Sequence, residues 1–176
     1  AIRKAAIIGG IRTPFVKSFT NYSRISNQEL LTATLKSLVE KYNLQGQLLG
    51  DVAAGAVIKS SKDWNLTRES VLGSGLHPHT PGYDVQRACG TGLETTWHIA
   101  MKIACGMIEN GIAGGCDTNS DLPILFPKEF SWKLLDLNKS KSTLDQLMKF
   151  LKFSLKDLKP QIPGVLEPRT KLSMGQ

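Results

Sequence analysis

The cysteine at position 89 combines a nucleophile with an open stretch of backbone. It lies between a short extended run, residues 82–86, and a long helical pattern that begins near Thr91, with Gly90 and Gly92 close by. At a strand-to-helix junction a thiol faces free backbone N–H groups and the positive end of the helix dipole, and both favour the thiolate. Because the thiolate is the nucleophilic form, the segment predicts covalent chemistry on a carbonyl. The competing interpretation is a buried structural cysteine, a common state of a free thiol.

The other two cysteines are better explained by packing than by chemistry. Cys105 falls in an apolar helical pattern, and Cys116 falls in a run that is typical of a buried strand. The three cysteines lack the spacing of metal ligands, so no metal site is predicted. An odd, scattered set of cysteines also argues against a disulfide framework and fits a reducing compartment.

No histidine is placed to serve as a base for Cys89. His98 lies further along the same helical pattern, roughly 13 Å away along the axis at about 1.5 Å per residue, which is too far for a direct hydrogen bond. His77 and His79 flank a proline, and their spacing suits a metal ion, but a solvated loop is the favoured interpretation. We therefore expect any base to come from outside this chain.

Strands and helices alternate in the pattern that surrounds Cys89. The box Ser26-x-x-Glu29 starts a first helix with Leu31, Leu35, Leu38 and Tyr42 on one face, and a second helix is predicted from Asn65 to 73–75. The third helix, from Thr91, is so apolar that we expect it to be enclosed on several sides. Four strands are predicted, at Lys4–Ile11, Asp51–Ile58, Tyr83–Arg87 and Gly111–Asp117.

This order, β-α-β-α-β-α-β, predicts an α/β fold with a mainly parallel, layered sheet. Active sites in such sheets lie beyond the carboxyl ends of the strands, which is where Cys89 is placed. The composition changes at Leu122, so we divide the chain into residues 1–121 and a proline- and lysine-rich remainder, 122–176. Within the remainder, residues 144–158 predict one amphipathic helix, which docks within the protein, on a partner or at an anionic membrane.

Composition limits the classes of function. The 176-residue chain is 41% hydrophobic, enough for one domain with a core, and it has no apolar run long enough for a transmembrane helix. The net charge of +7 favours anionic partners such as phosphates, nucleic acid or an acidic membrane face. No Arg-rich recognition helix or aromatic RNA-binding motif is present, so nucleic acid is the weakest of these.

The segment 89–93, CGTGL, resembles the nucleophile segment of the thiolase family. Asp117 stands where that family usually has Glu. The segment 133–142 and the helix after it resemble long-chain 3-ketoacyl-CoA thiolases, including the β subunit of the trifunctional fatty-acid-oxidation complex. Further matching segments, in order along the chain, are 8–15, 51–58, 65–69, 113–121 and 173–175.

The resemblance implies a layered thiolase fold and acyl transfer through Cys89. It implies coenzyme A and acyl-CoA as substrates, no covalently bound cofactor, and a pantetheine contact at Met174. Residues 1–121 would be the nucleophile-bearing half and 122–176 part of the loop domain that covers coenzyme A. The second half of a thiolase supplies a histidine base, a second cysteine and oxyanion-hole glycines, whose motifs this chain lacks.

The resemblance also implies an assembly and a location. Thiolases are dimers or tetramers in which the strand before the nucleophile, here 83–87, pairs across the two-fold axis. A hydratase/dehydrogenase subunit and peripheral membrane contact through 144–158 are further implied partners, in bacterial cytoplasm or the mitochondrial matrix. Two alternatives remain open: a ketosynthase-like condensing enzyme, and a thiolase-like module that binds acyl-CoA without chemistry.

Overall fold

The computed structural model describes residues 2–161, 166–173 and 175–176. They fall into two compact units, Ala1–Pro123 and Ile124–Gln176. In the first unit the elements are α1 (Asn27–Lys41), β1 (Asp51–Ala54), a 3₁₀ turn (Ser61–Asp63), α2 (Leu66–Gly73), β2 (Gly82–Asp84), α3 (Thr91–Ala104) and β3 (Gly111–Ala113). In the second unit they are α4 (Lys128–Asn138), α5 (Thr143–Phe150) and a 3₁₀ turn (Leu155–Leu158).

The sheet of the first unit is parallel, as predicted, with β1 in the centre between β2 and β3. Val52 lies opposite Gly82 on one side and Ile112 on the other. All four residues of β1 are buried, which is typical of a parallel strand covered by helices on both faces. The strands are shorter than predicted, but backbone hydrogen bonds continue past them, from Val85 N–H to Ala54 O at 2.8 Å and from Cys116 N–H to Gly55 O at 3.0 Å.

The first helix begins where its capping box predicts. The Ser26 hydroxyl accepts from the Glu29 N–H, and the Glu29 carboxylate accepts from the Ser26 N–H at 2.8 Å, so two otherwise free donors are satisfied. Leu31, Leu35 and Val39 form its buried face and join β1 and α2 in the core. The predicted buried face of α1 was partly wrong. Leu38 and Tyr42 lie at the edge of the observed buried face, because Val39 takes the central position.

The residues 4–11 do not form the predicted buried strand. Their side chains are exposed, with Ile8 at 90%. Arg3, just before this segment, is fixed to the rest of the unit. Its backbone N–H donates to Ala104 O, and its side chain forms an ion pair with Glu109 at 2.9 Å. A strand needs a neighbouring strand to pair with its backbone groups, and among the described residues no strand pairs with this segment. The apolar pattern of residues 4–11 alone was therefore insufficient to predict a strand.

The third helix begins at Thr91 as predicted, but it is not enclosed on several sides. It packs on β1 and β3 through a narrow face whose buried members include Thr91, Thr95 and Ile99. Its larger apolar residues, Leu93 and Trp97, are 78% and 63% exposed. The prediction failed because it assumed that apolar content measures burial, whereas only the positions that face the sheet are covered.

The second unit contains four contacting phenylalanine rings and one partly buried ion pair. Lys133 contacts the Asp157 carboxylate at 2.7 Å, while the rings pack in sequence with centroids 5.1 to 5.9 Å apart. The predicted continuous helix over 144–158 is wrong. The helix α5 ends at Phe150, and Ser154 caps a separate 3₁₀ turn with Asp157, because a serine side chain competes for nearby backbone N–H groups. The four rings are Phe126, Phe130, Phe150 and Phe153.

Within the described part of the chain, none of the helices has the length and apolarity that crossing a bilayer requires.

The carboxylate of Asp84, the last residue of β2, binds the start of α2. It accepts from the Thr67 N–H at 2.8 Å, the Leu66 N–H at 3.1 Å and the Lys59 ammonium at 3.2 Å. Burial alone would raise the pKa of Asp84, but the hydrogen bonds from Thr67, Lys59 and Leu66 outweigh it, so the pKa lies below its ordinary value. The strand that leads to Cys89 is thereby fixed to a helix.

The substitution Asp84→Asn should lower the free energy of unfolding at neutral pH by about 2 kcal/mol, since a charge-assisted acceptor is lost. A depressed folded-state pKa gives stability that is present above the unfolded pKa, near 3.9, and lost as pH falls through the folded value. Urea unfolding of the wild type should therefore weaken below about pH 4 more steeply than that of the variant.

Asp63→Asn is the matched control for this experiment. Burial raises the pKa of the Asp63 carboxyl, the opposite direction, so its neutralisation should cost no stability at pH 7. Equal losses for the two variants would contradict the role given to Asp84.

Candidate functional site

The structure places Cys89 at an exposed turn between β2 and α3. The turn leaves the sheet after Asp84, where Val85 still donates to β1, and the Gln86 side chain donates to Val57 O at 3.0 Å. Gly90 is the last residue before α3, and Cys89 is solvent-exposed. The competing interpretation of Cys89 as a buried cysteine is therefore wrong, and a substrate has access to the residue.

The first turn of α3 leaves donors free beside Cys89. The N–H groups of Gly92 and Leu93 contact no acceptor within the residues that the structure describes, and Gly90 contributes no side-chain cap. Free N–H groups at a helix start carry partial positive charge and stabilise an adjacent anion. The local geometry predicted for a reactive thiol is thus present, although no hydrogen bond to the sulfur of Cys89 occurs among the described residues.

A row of polar side chains continues along α3 from this turn. Glu94 lies 3.4 Å from Arg87 and 3.4 Å from His98, and the other ring nitrogen of His98 lies 3.4 Å from the Tyr83 hydroxyl. His98 therefore interacts with Glu94 and Tyr83, in keeping with the interpretation that it does not serve Cys89. Its spacing from Glu94, one helical turn, was visible in the sequence, but its contact with β2 was not.

The two other cysteines differ in exposure. Cys116 is partly buried and its thiol donates to Asn27 O at 3.1 Å; burial raises its pKa to about 12, so it stays protonated. Cys105 is exposed, which contradicts the predicted packing, because α3 ends at Ala104 and that alanine takes the inward position. His77 and His79 lie edge to face with centroids 5.0 Å apart, and no metal-binding cluster occurs among the described residues.

Asp117 joins two loops next to the turn. Its carboxylate accepts from the backbone N–H groups of Val57 and Ile58 at 2.9 to 3.0 Å, so the end of β3 is fixed to the chain after β1. A cavity of about 290 Å³ lies nearby, lined by residues that include Lys59, Asp84 and Gln86. Met174, the predicted pantetheine contact, lies outside the described residues.

Comparison with known proteins assigns the chain to a family. Residues 5–155 match the thiolase N-terminal domain. The chain is 39% identical over 173 residues to a 3-ketoacyl-CoA thiolase of Aliivibrio fischeri strain MJ11, covering 98% of this chain and 39% of that protein. It is also 39% identical to a 3-ketoacyl-CoA thiolase of Shewanella sp. strain W3-18-1, with 98% and 40% covered. This chain thus spans about two-fifths of these relatives' length.

A solved structure shares the fold. The acetyl-CoA acetyltransferase of Bacillus anthracis superposes with a TM-score of 0.68 at 24% identity, over 72% of this chain and 32% of that one. This agreement covers the α/β architecture with its parallel sheet. The match to the thiolase N-terminal domain over residues 5–155 establishes that the chain belongs to the thiolase family.

Proposed function

We propose that this chain provides the nucleophilic cysteine of an acyl-CoA C-acyltransferase. The reaction is thiolytic cleavage of a 3-ketoacyl-CoA, or condensation of acetyl-CoA, through an acyl group carried on Cys89. The observation that supports it most is the exposed thiol at the start of α3, with free N–H donors beside it. The names of the relatives, 3-ketoacyl-CoA thiolase, support the substrate class.

The chemistry proceeds in two steps. The Cys89 thiolate attacks the 3-keto carbonyl carbon, and collapse of the oxyanion breaks the bond between C2 and C3. The electron pair of that bond leaves as the enolate of acetyl-CoA, which takes a proton from an acid. The thiolate of a second coenzyme A then attacks the acyl-Cys89 thioester, and Cys89 is released as thiolate. Backbone N–H groups near Cys89 would stabilise the oxyanion, since donors without an intrahelical partner are available at the start of α3.

The remaining catalytic groups would come from polypeptide outside these 176 residues. No base contacts Cys89 in the described chain, and the family's second half carries a histidine, a second cysteine and oxyanion glycines. Residues 1–121 would then act as the nucleophile-bearing half-domain, and residues 122–176 as part of the domain that covers coenzyme A, with Met174 at the pantetheine. Coenzyme A and its esters are substrates here, and no covalently bound cofactor is needed.

The assembly is also proposed from the family. Two copies would pair along residues 83–87, a hydratase/dehydrogenase subunit would be a partner, and the enzyme would work in bacterial cytoplasm or the mitochondrial matrix. The exposed leucines of residues 144–158, together with four lysines between 149 and 159, suit a peripheral membrane contact.

Isotope exchange tests this function. A preparation that contains this chain together with the polypeptide carrying the family's second half is incubated with unlabelled acetyl-CoA and labelled coenzyme A, with no other acceptor. A ping-pong acyltransferase should move label into acetyl-CoA, because acyl-Cys89 formation is reversible. Binding of acetyl-CoA without exchange would contradict the proposal and favour a non-catalytic acyl-CoA-binding module.

A further inference from the structure

The turn before Cys89 contains a backbone conformation that its residue type does not favour. Ala88 has φ of +44°, in the left-handed region, where a Cβ atom meets the neighbouring carbonyl oxygen. Non-glycine residues remain in this region only when the surrounding structure holds them there. Ala88 immediately precedes Cys89, so its conformation sets the direction in which the thiol projects.

One side chain bridges the backbone on both sides of Ala88. The Thr91 hydroxyl accepts from the Arg87 N–H at 2.9 Å and donates to the Ala88 carbonyl oxygen at 2.8 Å. Two backbone bonds close the same turn, from Gly90 N–H to Arg87 O at 3.0 Å and from Thr91 N–H to Ala88 O at 3.2 Å. The backbone bonds are available to any residue at 91, whereas the bridge requires a hydroxyl.

The Thr91 side chain is fixed in this position. The residue is 5% exposed, so water is poorly placed to replace its hydroxyl. Its methyl group lies against β1: a Cβ atom added to Gly55 would come within 3.0 Å of it. Gly90 gives α3 no side-chain cap, and the hydroxyl of Thr91 bonds to the turn before it. The methyl group of Thr91 thus packs near Gly55, which follows β1, and its hydroxyl binds the turn before α3.

We infer that Thr91 is a positioning residue for the nucleophile: its hydroxyl bridge keeps Ala88 left-handed and so holds the Cys89 thiol at the start of α3. The role of Thr91 in catalysis rests on the proposed function, whereas the experiment that tests the hydroxyl bridge does not. The residue acts through the backbone of residues 87 and 88.

The three cysteines of the chain report separately on this arrangement. Iodoacetamide alkylates a thiolate, forming an S–C bond as iodide leaves, and peptide mass spectrometry gives a rate for each cysteine. Cys89 reports the turn, Cys105 is exposed at the far end of the same helix, and Cys116 is protected in the folded unit. The ratio of the Cys89 rate to the Cys105 rate therefore isolates the turn from the helix.

Thr91→Val keeps the shape and removes both hydroxyl bonds, and it should lower the Cys89 rate by about tenfold while Cys105 is unchanged and Cys116 stays protected. Thr91→Ser keeps the hydroxyl and should restore the Cys89 rate to within about twofold of wild type. Thr96→Val is the matched control, because among the described residues the Thr96 hydroxyl bonds only to Gly92 O, within the helix. The alkylation rates of all three cysteines should stay at their wild-type values in this variant.

A folded Thr91→Val variant with the wild-type Cys89 rate would overturn the inference. Alkylation of Cys116 in Thr91→Val would mean that this variant has lost its folded structure. The double variant Thr91→Val with Ala88→Gly then tests the inference, because glycine adopts the left-handed conformation without a bridge. Protection of Cys116 and recovery of the Cys89 rate in the double variant support the inference, and failure of either overturns it. None of these measurements uses coenzyme A, so a negative exchange assay leaves them unaffected.

Discussion

Replacing Cys89 by alanine should lower the acetyl-CoA exchange rate by about a thousandfold or more, which is the scale of loss when a nucleophile is removed from a site that still binds its substrate. The physical reason is that exchange without another acceptor requires a covalent acyl-enzyme. The measurement is the initial rate of label transfer at saturating acetyl-CoA, so that weaker binding is not mistaken for lost chemistry.

Cys105→Ala and Cys116→Ala are the controls for this result. Cys105 is exposed but lies at the opposite end of α3 from Cys89, and Cys116 is kept protonated by burial. Each should exchange at close to the wild-type rate. Survival of exchange in Cys89→Ala, or its loss in Cys105→Ala, would place the nucleophile elsewhere.

Gly55→Ala should destabilise the first unit by about 3 kcal/mol and disturb the turn at Cys89. Gly55 follows β1, and a Cβ atom there would stand 1.8 Å from the Val85 carbonyl oxygen, closer than any real contact. The backbone of residue 85 must move to accept it, and that backbone leads into the nucleophile turn. Thermal or urea unfolding measures the first effect, and the Cys89 alkylation rate measures the second.

Gly114→Ala is the matched control in the neighbouring part of the sheet. No atom of the described residues lies within 4 Å of a Cβ placed on Gly114, so this variant should unfold within about 1 kcal/mol of wild type. Equal stability of Gly55→Ala and Gly114→Ala would show that the close approach of β1 to residue 85 is not as described.

Short sequence motifs were enough to predict where the helices of the first unit begin. The capping box at Ser26 and the asparagine at 65 start α1 and α2 at the predicted places, because each side chain satisfies a backbone donor within three residues of itself. The glycines around Cys89 also marked the strand-to-helix turn, since glycine is typical of such turns. Such contacts depend only on neighbours in the chain, so the sequence contains all the information needed to predict them.

The failed predictions required partners that are distant in sequence or absent. The apolar run 4–11 has no neighbouring strand among the described residues, and the exposed side of α3, with Leu93 and Trp97, has no covering layer there. Amphipathic periodicity indicates which residues can be buried, but not whether a partner is present. The prediction of one helix over 144–158 failed because α5 ends at Phe150 and Ser154 caps a separate 3₁₀ turn.

The residues that support the site were missed for a related reason. Asp84 looks like any polar residue at a strand end, and only the fold brings it to the first turn of α2. Thr91 matched the motif, but its hydroxyl bridge across Ala88 depends on a left-handed residue that the sequence does not reveal. The carboxylate at 117 was noted as a departure from the family, and its contact with residues 57 and 58 became visible only in three dimensions.

The proposed function requires Cys89 to carry an acyl group, and peptide mass spectrometry tests this directly. A preparation that contains this chain together with the polypeptide carrying the family's second half is mixed with acetyl-CoA or a 3-ketoacyl-CoA, quenched in acid, which preserves the thioester, and digested. The acyl group should be found on the peptide that contains Cys89, and it should disappear when coenzyme A is added before the quench. An acyl group on the peptide of Cys105, or none at all while bound acyl-CoA is demonstrated in the same sample, would contradict the account.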